Sequence, residues 1–220
     1  MLEAAVFDMD GLLIDSEPLW RRAEQRIFAD LGVPLTKEMC LETTGVRLNE
    51  VVRLWHSRFP WEGRALDDVA ADIIATMIDL VRTEGAPMEG VEHVLELFEA
   101  RGLRLALASS SPVALIDAVL DCLGIRARFE VIRSAEPEPY GKPHPGVFLS
   151  AAGDLDVEAT RCLVLEDSFT GVIAGLAARM KVVAVPAPEE RDQPRFDIAH
   201  ARLGSLLELD GSLLDRLSAL

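Results

Sequence analysis

The chain has 220 residues, half of them hydrophobic and 27% charged, and its 37 acidic against 22 basic residues leave a formal net charge of -15. This is a soluble globular balance: no apolar run approaches the ~20 residues of a membrane span, and the charge repels duplex nucleic acid and anionic membranes on average. An anionic small substrate stays open, because a bound cation or a local Lys or Arg reverses the sign inside a pocket. Cys40, Cys122 and Cys162 are widely spaced among aliphatic neighbours and read as small buried hydrophobes, and His56, His93, His144 and His200 lack zinc-site spacing. With no basic segment ahead of the first strand-like run, a cytoplasmic location is expected.

Ala4-Ala5-Val6-Phe7 is a short apolar run ending in Asp8 and predicts a buried parallel strand. From Pro18 to Glu84 the pattern turns helical: Trp20, Ala23, Ile27 and Leu31 recur at helical spacing before Gly32, and Val51, Val52, Leu54, Trp55, then Val69, Ile73, Ile74, Met77 and Leu80 continue it. A turn-rich stretch, 85–90, ends this segment. Helix and strand then alternate, with helices over 91–100, 112–123, 145–152 and 169–178 and strands over 103–108, 129–132, 162–165 and 181–185. The alternation predicts an α/β fold, a Rossmann-like parallel sheet core covered by helices on both faces. The first strand belongs to that sheet, so the helical segment is an insertion: residues 1–15 and 87–220 form the core and 16–86 a small all-helical unit.

Open α/β sheets bind ligands outside the carboxyl ends of their strands. Four such ends carry polar chemistry. The first is Asp8-Met9-Asp10-Gly11, two carboxylates at a sharp turn, a pattern that also suits an ordinary turn. The second, Ser109-Ser110-Ser111-Pro112, could hold a phosphate on a hydroxyl and helix-opening amides or simply cap the helix. The third is Tyr140-Gly141-Lys142-Pro143, a lysine between turn residues, with a solvated side chain as the plain alternative. The fourth, Glu166-Asp167-Ser168, closes an apolar strand and could equally cap the next helix.

Carboxylates, hydroxyl, lysine and a second acidic pair, all at one sheet edge in this order, resemble the four motifs of the haloacid dehalogenase superfamily of aspartate-nucleophile phosphohydrolases, with the helical insertion as its cap domain. Within it the chain is similar to the β-phosphoglucomutase-like branch and to bacterial hexitol phosphatases, also called 2-deoxyglucose-6-phosphate phosphatases; the stretches 7–20, 177–180 and 185–189 share that likeness. The resemblance implies hydrolysis of a small phosphorylated metabolite by a monomer that needs Mg²⁺. Asp8 would be the nucleophile and Asp10 the acid and base, with Lys142 and Ser109 completing the catalytic set. The metal would be held by Asp8, the Asp10 carbonyl and Asp167, with Glu166 either a direct ligand or an outer acceptor. Ser109, Ser110 and Lys142 would bind phosphate, and the cap would meet the leaving group; Glu17, Trp20, Arg47, Trp55 and Trp61 are candidates because they flank the hinge or bring amphipathic bulk and charge to a helical segment, with core packing as the alternative for each Trp and a solvated face for Arg47. The mutases of this branch carry a histidine where Trp20 stands and an arginine at Leu48, so plain hydrolysis is favoured over transfer within a sugar phosphate.

Overall fold

In the computed structural model, which describes residues 1–43 and 45–220, β1 (Ala4–Phe7) leads within ten residues into α1 (Glu17–Asp30). α2 (Lys37–Leu41), α3 (Leu48–Arg58) and α4 (Leu66–Glu84) follow, and the chain then returns to α5 (Val91–Ala100), β2 (Arg104–Ser109), α6 (Val113–Leu123) and β3 (Val131–Ser134). α7 (Gly146–Asp154), β4 (Cys162–Glu166), α8 (Phe169–Ala177), β5 (Lys181–Ala184), β6 (Ala201–Arg202) and α9 (Gly211–Ala219) complete it. The strands form one parallel sheet in the order β3-β2-β1-β4-β5-β6. The fold is therefore the expected α/β sheet with an inserted helical cap, extended at one edge by β6.

Side chains on a strand alternate between faces, and β1 shows the consequence. Ala5 and Phe7 enter one core with α5, α6, α9 and the cap, whereas Ala4 and Val6 enter a second core with α7 and α8. Phe7 packs edge-on to Phe129 and tilted against Phe98. The register runs Phe7 beside Leu107 and beside Leu165, so the residues that follow β1, β2 and β4 emerge side by side. The crevice lies at β1 because the chain leaves it toward β2 on one side and β4 occupies the other, the switch point where such sheets bind ligands.

The cap helices are amphipathic. Val69, Ile73, Met77 and Val81 make a buried stripe four residues apart on α4, which packs on α1, α3 and also on α6 of the core. Pro18 opens α1 in the first-turn position where its missing N–H costs nothing, and Leu19, Ala23, Ile27 and Phe28 point inward. Trp55 is fully buried and Trp61 lies against Phe28 and His56, so both are cap-core residues. The strand expected over 129–132 begins at Val131 instead: Phe129 is buried beside Phe7, but the ladder with β2 starts only where Ala106 meets Val131. Among the described residues no helix is long and apolar enough to cross a membrane.

Candidate active site

Asp8 leaves β1 with its amide donating to the Leu165 carbonyl at 3.0 Å, which sets it beside Glu166 at the end of β4. Gly11 then turns the chain with φ +75°, and a Cβ there would lie 2.2 Å from Asp167 Oδ2; only glycine lets the Asp8–Asp10 loop close on Asp167. Glu166 is pressed against the start of α8 in the same way, since a Cβ on Gly171 would fall 1.7 Å from its Oε1. Ser168 caps α8 by accepting from Gly171 N, and its hydroxyl and amide both donate to Glu166 Oε2.

Lys142 is the cation at the centre. Its Nζ donates to Asp8 Oδ1 at 2.5 Å, Glu166 Oε1 at 2.6 Å and the Ala108 carbonyl at 3.2 Å, and it rests on the Phe148 ring. Burial works against its charge, yet Asp8 and Glu166 hold its pKa above the ordinary lysine value. Three carboxylates nonetheless surround one ammonium. Asp167 is buried, and its side chain accepts no hydrogen bond among the described residues; burial, with Glu166 and Asp8 adding to it, pushes its carboxyl well up. Asp8 is raised as well, by burial against the opposing Lys142. Asp8, Glu166 and Asp167 can each offer an oxygen within 4.8 Å of the others. An orphaned buried carboxylate in an oxygen-only cluster with surplus negative charge fits a hard divalent cation. The Asp10 carbonyl, which accepts no hydrogen bond among the described residues, fits the same donor set. Glu166 is already engaged at both oxygens.

Asp10 stands on the cap side of Asp8. Trp20 Nε1 donates to its Oδ1 at 2.8 Å and Ser111 Oγ to its Oδ2 at 2.7 Å, so one donor comes from cap helix α1 and one from the loop after β2. Ser109 Oγ accepts from Ser111 N, leaving its own proton free to donate, and Ser110 Oγ is buried without a partner among the described residues. These groups open on a cavity of about 80 Å³ whose far wall is the cap: Glu17, Trp20, Arg21 and Glu24 of α1, Cys40, Thr43, and apolar Val46, Leu48 and Val51. Burial first, then Asp10, lifts the Glu17 carboxyl to about 7.

The structure thus brings together Asp8, Asp10, Glu17, Trp20, Ser109, Ser110, Lys142, Glu166 and Asp167. It does not bring Arg47, Trp55 or Trp61 to the cavity. The Arg47 guanidinium instead donates to the carbonyls of Ala135 and Glu138 (3.0 Å for the latter), tying the start of α3 to the core loop that leads to Lys142. Gly141 lets it in, since a Cβ there would lie 2.9 Å from the Arg47 side chain. Ser168 caps α8 as the sequence allowed, Ser111 lay within its motif without a role of its own, and sequence reasoning missed Arg21 and Glu24. The polar spacing Glu17, Trp20, Arg21, Glu24, opposite Leu19, Ala23 and Ile27, is the signal that could have found the last two.

Residues 2–179 match the haloacid dehalogenase-like hydrolase family. Hexitol phosphatase B of Escherichia coli O157:H7 is 46% identical over 207 residues, 94% of this chain and 93% of that protein. Among solved structures, CbbY from Rhodobacter sphaeroides in complex with phosphate superposes with a TM-score of 0.88 at 28% identity, covering 98% of this chain and 100% of that one. β-Phosphoglucomutase from Clostridium difficile, at 22% identity, has a TM-score of 0.86 over 100% and 98% and shares the fold. The chain belongs to the haloacid dehalogenase-like hydrolase family, as one of its phosphatases.

Proposed function

We propose that this phosphatase is Mg²⁺-dependent and cytoplasmic, and hydrolyses phosphomonoesters of small sugars or sugar alcohols, of the hexitol phosphate or 2-deoxyglucose 6-phosphate type, through an aspartyl phosphate on Asp8. The observation that carries this is the placement of Asp8: a carboxylate at the switch point, paired with Lys142, facing the cavity under the cap. The likeness to hexitol phosphatase B supports the substrate class.

Asp8 attacks phosphorus and the ester bond to the sugar oxygen breaks; protonated Asp10 gives its proton to the departing alkoxide. Water then attacks the phosphoryl group, Asp10 takes its proton, the bond to Asp8 breaks, and phosphate leaves. Trp20 and Ser111 orient Asp10 for both transfers. Lys142 neutralises charge between Asp8 and the phosphoryl oxygens, while Ser109 and Ser110 donate to them. Asp8, Asp167 and the Asp10 carbonyl would hold Mg²⁺, with Glu166 holding Lys142 and Ser168 beside them; the ion's contribution is to offset negative charge where two anions must meet. Residues 16–86 act as a cap that excludes water once the leaving group is bound.

An indole N–H only donates, so Trp20 cannot relay protons, which favours hydrolysis over mutase chemistry. The test is turnover of a hexitol 6-phosphate with and without a chelator, in wild type and Asp8→Asn, in ¹⁸O water. Hydrolysis that needs Mg²⁺ and Asp8 and puts label into phosphate is expected. Turnover undiminished in Asp8→Asn, or conversion of a hexose 1-phosphate to its 6-phosphate with no release, would sink the reading.

A further inference from the structure

Glu24 is 7% exposed, lines the cavity, and makes no hydrogen bond of ordinary geometry among the described residues; the Cys40 thiol on α2, a weak donor, lies beside it. Burial pushes its carboxyl up to about 7. A carboxyl group withdrawn from water without a strong partner is unfavourable in the free protein, and such violations of local rules concentrate where a ligand supplies the missing partner. Arg21, three residues before it on the same wall, likewise has no ion pair or hydrogen bond among the described residues. The cap therefore presents one strong acceptor and one forked donor, both uncommitted.

Their position relative to the reacting groups matters. Trp20 touches Asp10, and Glu24 lies four residues farther along α1, about 6 Å along the helix axis. A leaving group whose oxygen is at Asp10 and whose chain runs along α1 passes Arg21 and ends near Glu24. Each hydroxyl on such a chain can donate or accept, so the chain can donate to Glu24 and accept from Arg21.

From this geometry we infer that Glu24, assisted by Arg21, selects the leaving group, accepting hydrogen bonds from hydroxyls remote from the phosphate on a polyhydroxylated carbon chain. This rests on the sugar-phosphate reading above and assigns its discrimination to a particular pair. An aryl phosphate engages neither residue and forgoes these hydrogen bonds, which adds to discrimination.

The test compares kcat/KM for glucitol 6-phosphate and phenyl phosphate in wild type, Glu24→Gln, Glu24→Leu and Arg21→Met. The glucitol-to-phenyl ratio is expected to fall by about 100-fold in Glu24→Leu and about tenfold in Glu24→Gln, chiefly through KM for the polyol substrate. Thermal unfolding identifies any variant whose fold is lost, and Glu24→Gln, nearly isosteric, then carries the comparison. A ratio unchanged in Glu24→Gln and Glu24→Leu, with wild type preferring the polyol, overturns the assignment alone. Wild type without that preference, while still requiring Asp8, overturns the substrate class and the assignment together.

Discussion

On the sheet side of the cavity Asp8, Glu166 and Lys142 satisfy one another, and Asp167 is the one carboxylate left over; on the cap side Glu24 and Arg21 have no hydrogen-bonding or ion-pair partner of ordinary geometry among the described residues. The sheet side comes from strand ends held in fixed register, the cap side from one face of one helix. A preorganised charge cluster suits the phosphoryl group, common to every substrate, while open hydrogen-bonding capacity suits the part that differs between substrates. Chemistry and selectivity are thus assigned to opposite walls, joined at Asp10, where Trp20 arrives from one and Ser111 from the other.

The sharpest way to break this division is on the sheet side. Asp8→Asn is expected to lower kcat by about four orders of magnitude or more for every phosphomonoester alike, with polyol binding largely retained, as measured by turnover and by titration with a substrate. Lys142→Ala leaves Asp8 and Glu166 facing each other; a loss of stability of about 3–5 kcal/mol is expected in denaturant unfolding, together with loss of activity. Arg47→Ala removes the bonds to the Ala135 and Glu138 carbonyls, costing about 1–3 kcal/mol and raising KM for all substrates without changing their ranking.

Glu24 should behave in the opposite sense. Its carboxyl, at about 7 when folded against 4.5 ordinarily, retains a proton that the unfolded chain releases, so stability falls as pH rises from about 4.5 to 7 and stays lower above. Cys40 on α2 and Glu17 on α1 are the titratable groups that act on it, and Arg21 lies on the same cavity wall. Glu24→Gln is therefore expected to be more stable than wild type at pH 8, by on the order of 2 kcal/mol, with the gain shrinking at pH 5. A gain equal at both values would contradict the burial argument. Smallest of all, Arg22→Ala, which breaks an exposed pair with Glu84, should leave both melting temperature and turnover where they were.

The sheet-side wall was legible because short apolar runs such as 4–7 and 162–165 mark their own ends, and polar residues just beyond them converge by topology alone. The cap was legible as helix, since Val69, Ile73 and Met77 keep strict spacing. Contacts across the cavity were not. That the Trp20 indole meets Asp10, or that Arg47 reaches the 135–138 loop rather than the cavity, depends on how α1 and α3 settle on the sheet, which no local pattern encodes. β3 was misplaced by two residues because Phe129 is buried by packing on Phe7 before any ladder hydrogen bond forms, and burial without pairing looks the same in sequence. β6, two residues long, carries no periodicity to find.

The Trp20–Asp10 contact also gives the protein an optical reporter. Of its three tryptophans, Trp55 and Trp61 are sealed in the cap core, and Trp20 alone lies on the cavity with its N–H on a carboxylate. Replacing the two core tryptophans by phenylalanine leaves one tryptophan whose emission depends on whether α1 sits against Asp10, so the position of the cap can be followed in real time without an attached label.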